Sequence, residues 1–132
     1  GTVRLQNGDY TAITDPVQRL LGYLDHCEKY AETFWGDGCL LGNFSTELAQ
    51  THPRIRERVA EIFTRLTHSQ AKLFEPALRA AGIGNSPTAN ELSEHLLATI
   101  EGGIVLGRAY GDPRHITGAI DQFRRYIKEL LK

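Results

Sequence analysis

Apolar residues recur along most of this chain at three- and four-residue spacing, the period of one face of an α-helix. The first run opens at Asp15-Pro16-Val17-Gln18. There Asp15 can cap a helix, Pro16 sits where its lack of an N–H costs nothing, and Gln18 can complete a capping box. Val17, Leu20, Leu21, Leu24, Cys27, Ala31, Phe34 and Trp35 then hold one face until Gly36, which predicts an amphipathic helix of about five turns. Asp37 caps a short helix carrying Leu41, Phe44 and Leu48, with small Gly42, Ser45 and Ala49 beside them. A helix so short and rich in small residues is stable chiefly when longer helices wrap it, so it reads as the hub of a bundle. Thr51-His52-Pro53 marks a restart. Ile55, Val59, Ile62, Leu66, Leu73 and Ala77 share the next face, widened by Phe63, Phe74 and Leu78. Pro76 is expected to bend or end this helix near Lys72–Glu75, and Gly82 with Ile83 suits its final cap.

Gly84-Asn85-Ser86-Pro87 is a loop, and Thr88-Ala89-Asn90-Glu91 reads as a capping box. Between Leu96 and Gly107 the polar residues are Thr99 and Glu101, so this helix is expected to be buried on most sides. Thr99, Gly103 and Gly107 fall four apart in a smooth stripe. Helical glycines cost about 0.8–1 kcal/mol each relative to alanine, and close approach of another helix would offset that. A last helix starts at Asp112-Pro113 and carries Ile116, Ala119, Ile120, Phe123, Ile127, Leu130 and Leu131 to the end, with Arg124, Arg125, Lys128 and Glu129 expected to face out. Residues 1–14 are polar around Asn7-Gly8-Asp9 and read as a turn or loose leader. The pattern predicts an all-α bundle of about five to six helices over residues 15–132, with 1–14 a leader or linker remnant.

Gly38-Cys39-Leu40-Leu41-Gly42-Asn43-Phe44, then Glu47-Leu48-Ala49, then His52-Pro53 with Ile55-Arg56-Glu57, resemble the C-terminal regulatory domain of tetracycline-repressor (TetR) family transcription factors. The likeness covers roughly Asp15 to Leu131. It implies a homodimer in which the last two helices of each copy form a four-helix interface. On that footing Thr99, Gly103, Gly107, Ile116, Ile120, Phe123 and Ile127 are the expected interface residues. It also implies a cavity for a small, largely apolar effector, where aromatic and aliphatic side chains converge. Phe34, Trp35, Phe44, Leu48, Phe63, Leu66, Gln70, Phe74, Leu97, Ile100, Glu101 and Ile104 are the expected lining. Members of the family touch DNA through an N-terminal helix-turn-helix; none stands out here, so the chain reads as a regulator without its DNA reader. The competing reading is a dimerisation module with a fully packed core and no ligand.

Composition narrows this further. A chain of 132 residues with 41% hydrophobic content fits one domain with a real core. The net charge is −1 and the basic residues are scattered, so no basic stripe points to nucleic acid within these residues. Two cysteines suggest a reducing cytosol, with a Cys27–Cys39 bridge left open. No apolar run approaches the ~18 residues of a membrane span, and a cytoplasmic protein is expected. Glu91 and His95 share a helix face, but two ligands do not make a metal site; neither metal nor cofactor is expected. No Ser–His–Asp set, phosphate loop or paired acids stands out, and no enzyme is expected. Three residues keep two readings each. Gln70, beside Ser69, either touches water at the bundle edge or orients a ligand. Glu101 is either a structural partner or a polar anchor in the pocket. Cys39 is either a packed thiol or, at a helix start, a sensor of oxidants or electrophiles.

Overall fold

A computed structural model describes residues 9–31 and 51–132. A 3-10 helix at Asp9–Ala12 precedes four α-helices: α1 (Pro16–Lys29), α2 (Pro53–Ala80), α3 (Ala89–Tyr110) and α4 (Arg114–Leu130). No strand occurs among the described residues, and the fold is the expected all-α bundle. The hub helix, and with it Phe34, Trp35, Cys39, Phe44 and Leu48, lies outside the described residues.

Local chemistry sets the helix ends. Asp15 Oδ2 accepts from the Gln18 N–H at 2.9 Å, with Pro16 in the first turn of α1. α1 ends at Lys29, where Tyr30 leaves the helical conformation and its ring packs on His26; the part of the expected five-turn helix from residue 32 to Gly36 lies outside the described residues. α2 passes through Pro76 without ending there. Proline removes one backbone bond, but Phe74, Ala77 and Leu78 on either side of it are buried in the core, and that packing outweighs the loss. Gly82, at φ +75°, turns the chain out of α2, and the Ile83 N–H reaches the Leu78 carbonyl at 2.9 Å. Thr88 and Glu91 form the expected reciprocal capping box at the start of α3. α4 begins one residue later than expected, with Pro113 in the cap position. Asp112 accepts from both the backbone N–H and the guanidinium of Arg114, which hold its carboxyl at about 2.

The core joins Leu20 and Leu24 of α1, Phe74, Ala77 and Leu78 of α2, Leu92 and Leu96 of α3, and Phe123 and Ile127 of α4. A second cluster joins Cys27 and Ala31 to Ile104, Ile116 and Ile120. Gly103, Gly107, Ile116, Ile120, Phe123 and Ile127, expected on a surface between two copies, are therefore buried inside one chain. The apolar stripe of α4 is covered by α1 and α3 of its own chain, which the pattern along one helix cannot distinguish from coverage by a partner. Thr99 is half-buried, and its hydroxyl donates to the His95 carbonyl. Gly103 is where α3 and α4 come closest. A Cβ there would meet Ile116 Cα at 2.9 Å and the His115 carbonyl at 3.1 Å. Gly103→Ala is expected to lower unfolding stability by about 1–3 kcal/mol despite alanine's better helix propensity, measured by chemical denaturation.

Two further differences bear on the surface. Arg124, expected to face out, has a side chain only 11% exposed and ties α4 to α1. Its guanidinium pairs with Glu28 and with Asp121 at 2.8 Å. Its Nε lies 2.9 Å from Asp25 without hydrogen-bond alignment, so that contact is electrostatic. In the segment expected to be loose, Tyr10 is buried against the rings of Tyr23 and His26, and Arg19 donates to the Ile13 carbonyl at 2.7 Å. Among the described residues no helix is long and apolar enough to cross a membrane.

Candidate functional site

Residues three, four and seven apart on a helix share a face, and two such faces meet in a groove between α2 and α3. Phe63, Thr64, Thr67 and His68 form its α2 wall; Glu94, Leu97, Ala98 and Glu101 form its α3 wall. The groove encloses about 450 Å³, within the ~300–1,000 Å³ range of small-molecule sites. Phe63, Leu97 and Ala98 supply an apolar floor. The polar groups are two carboxylates, two threonine hydroxyls and one imidazole. The Thr64 hydroxyl donates to the Ala60 carbonyl at 2.8 Å, so toward the groove its oxygen can only accept.

Of the residues expected to line a cavity, Phe63, Leu97 and Glu101 meet in this groove, and the other described ones do not. Phe74 and Ile104 are core residues, at 0% and 4% exposure. Ile100 packs against both core clusters, and Leu66 is exposed. Gln70 is half-buried and bonded to other helices of the bundle. Its Nε2 donates to the Tyr23 hydroxyl at 3.0 Å and its Oε1 accepts from Ser93 at 3.1 Å. The fully buried Ser93 hydroxyl has one proton, which it shares between Gln70 Oε1 and the nearer Thr67 carbonyl at 2.7 Å. Tyr23 in turn bonds Cys27. A polar seam thus crosses α3, α2 and α1, and Gln70 at its centre links the three helices.

The seam also sets the chemistry of Cys27, a free and buried thiol. Burial raises its pKa to about 11, with the Tyr23 hydrogen bond acting against that rise. The thiolate is the nucleophile, so Cys27 is expected to resist iodoacetamide at pH 8 in the native state and to react promptly once unfolded. Mass spectrometry with and without denaturant checks this. Burial likewise raises the Tyr23 phenol above its ordinary range. Glu91 and His95 are each otherwise engaged: the Glu91 carboxylate, its pKa lowered by hydrogen bonds from Thr88, closes the capping box, and the His95 ring stacks on Tyr126 with centroids 5.7 Å apart.

Beside the groove, α3 turns apolar groups outward. Val105 is 61% exposed and Tyr110 70%, with Leu106 next to Val105 in the chain, and Tyr126 of α4 is exposed as well. Gly102 and Gly118 lie exposed in mid-helix with open space around them. Sequence reading missed Thr64, Thr67, His68, Glu94 and Ala98. Their three- and four-residue spacing was legible, but a polar helix face reads as solvated until a second helix is known to stand opposite. It missed the outward α3 face because an apolar run long enough to cover every side of a helix gives no direction.

Comparison with known proteins adds an independent line. Residues 16–123 match the family described as tetracyclin repressor-like, C-terminal domain. The HTH-type transcriptional repressor DhaR of Mycobacterium sp. (strain GP1) is 30% identical over 94 residues, 71% of this chain and 46% of that protein. The chain thus spans about half the length of the curated relative it matches. No solved structure gives a significant match. A match that covers α1, α2, α3 and the first part of α4 in an all-helical bundle makes this chain a member of the tetracycline repressor-like C-terminal domain family, the regulatory part of a transcriptional regulator.

Proposed function

We propose that this domain binds a small, partly apolar effector in the α2–α3 groove, forms a homodimer through the outward face of α3 and the adjoining face of α4, and in the cytoplasm controls DNA binding by a helix-turn-helix reader outside these residues. The groove carries the reading: an apolar floor with a few convergent polar groups is the usual make-up of a small-molecule site, and its volume suits one. The α3 helix joins the two activities. Its Glu94, Leu97, Ala98 and Glu101 line the groove, the exposed Val105 continues that face one turn further on, and the exposed Leu106 stands about a quarter turn round the helix from it. An effector that fits one spacing of α2 and α3 better than another therefore biases the position of the surface that meets the second copy. Only such a difference in affinity between two arrangements can shift their balance. Kinship to a transcriptional repressor supports repression as the output.

The test is thermal unfolding of the purified chain against small aromatic, lipid-like and electrophilic compounds, with sedimentation alongside. A ligand that binds only the native state raises Tm by mass action, so a dose-dependent rise in a dimer is the expected result. A dimer that no compound shifts would support the competing reading, a dimerisation module without a ligand.

A further inference from the structure

We propose that the α2–α3 groove selects an amphiphilic cation: an apolar body over Phe63, Leu97 and Ala98, and a protonated amine held by the carboxylate of either Glu94 or Glu101. The proposal rests on reading the groove as the effector site and adds the charge class of the effector.

The donor and acceptor inventory carries it. No lysine or arginine is among the described residues that line the groove. Glu94 and Glu101 have no ion-pair or hydrogen-bond partner among the described residues, whereas all four side-chain carboxylates of α1 and α4 do: Asp25, Glu28 and Asp121 pair with Arg124, and Glu129 with Lys132. The Thr64 hydroxyl proton is committed to Ala60, which leaves an acceptor facing the groove. Apart from His68 and the Thr67 hydroxyl, the polar lining therefore asks for donors. A ligand with its own negative charge would enter the field of two carboxylates that no described residue compensates. One carrying an ammonium would enter the same field favourably, because a cleft with apolar walls focuses it. Glu94 and Glu101 stand two helical turns apart, roughly 10 Å, with Leu97 and Ala98 between them. An ammonium bound at either carboxylate thus keeps its chain on the apolar floor. The aromatic surface of Phe63 favours a cation as well.

Three probes of equal length separate charge from apolar contact: n-octylammonium, n-octanol and n-octanoate, titrated into the full chain by calorimetry. Octylammonium is expected to bind at least about ten-fold tighter than either of the others, with the preference shrinking as salt rises. In the double variant Glu94→Gln, Glu101→Gln the preference should vanish while octanol binding persists; Glu129→Gln, remote from the groove, should change nothing. Ala98→Phe, which fills the groove from an exposed position, should weaken all three. If the three probes bind alike in the parent chain, or the preference survives the double variant, the cation assignment falls while the groove stands as an effector site. If octylammonium binding survives Ala98→Phe, the site lies elsewhere and the proposal falls. If no probe binds, the cation assignment and the groove's role as an effector site fall together. Should the double variant fail to fold, Glu101→Gln alone and the salt dependence of the parent decide the same question.

Discussion

Phe74→Ala is expected to lower the unfolding free energy by about 3–5 kcal/mol, the largest single effect anticipated for this chain. The ring is fully buried where α1, α2, α3 and α4 converge, edge-on to Phe123 with centroids 6.1 Å apart. Removing it costs the transfer free energy of the ring and leaves a cavity that helices α1, α2 and α3, tied by the Ser93–Gln70–Tyr23 seam, cannot readily close. A domain this size has about 5–15 kcal/mol to lose, so the variant should unfold at a much lower denaturant midpoint. The same experiment separates two roles for Phe74. A pocket wall would lose ligand affinity at modest cost in stability, whereas a core residue loses stability first. A midpoint close to that of the parent chain would return Phe74 to the list of lining residues.

Placing a charge on the outward face of α3 is expected to abolish dimerisation while sparing the fold. Val105 and Leu106 are 61% and 50% exposed, so Val105→Glu and Leu106→Glu remove little from the core and should shift Tm only slightly. At an interface between two copies, each carboxylate would be buried without a partner. A penalty of roughly 3 kcal/mol weakens association a hundred-fold or more. Two-fold symmetry places the charge on both copies, which adds repulsion where the two α3 helices cross. Sedimentation should find the variants monomeric at micromolar concentration with unchanged far-UV circular dichroism. Ile120→Glu is the contrasting variant. Ile120 is fully buried within the chain, so that change should destroy folding itself. If Val105→Glu and Leu106→Glu leave a dimer intact, the two copies meet elsewhere.

Several features were legible in the one-dimensional pattern because their physics is local. Asp15 with Pro16, Thr88 with Glu91, and Gly82 before Ile83 each satisfy backbone groups within a few residues, and each stands where the spacing put it. The helical periods of α1 to α4, and hence an all-α bundle, follow from the same short-range arithmetic. The family likeness was carried by short motifs for a similar reason. Pro76 marks the limit of local rules: its penalty is real, but packing on both sides of it overrides that penalty.

Which apolar face meets which neighbour is a non-local matter, and only the tertiary arrangement settled it. The stripe of Ile116, Ile120, Phe123 and Ile127 looked like a surface awaiting a partner; α1 and α3 cover it within the chain, and Val105, Leu106 and Tyr110 face outward instead. Arg124 looked solvated until Asp25 and Glu28, nearly a hundred residues away in sequence, joined Asp121 of its own helix around it. Gln70 and Ser93 are satisfied only by one another and by groups on other helices. The groove exists only because the polar face of α2 lies beside that of α3. Periodicity states that a face is apolar or polar, because hydrophobic burial and hydrogen bonding act residue by residue. Whether that face meets its own chain, a second copy or a ligand depends on how helices distant in sequence are oriented, and hydrophobic burial is non-directional.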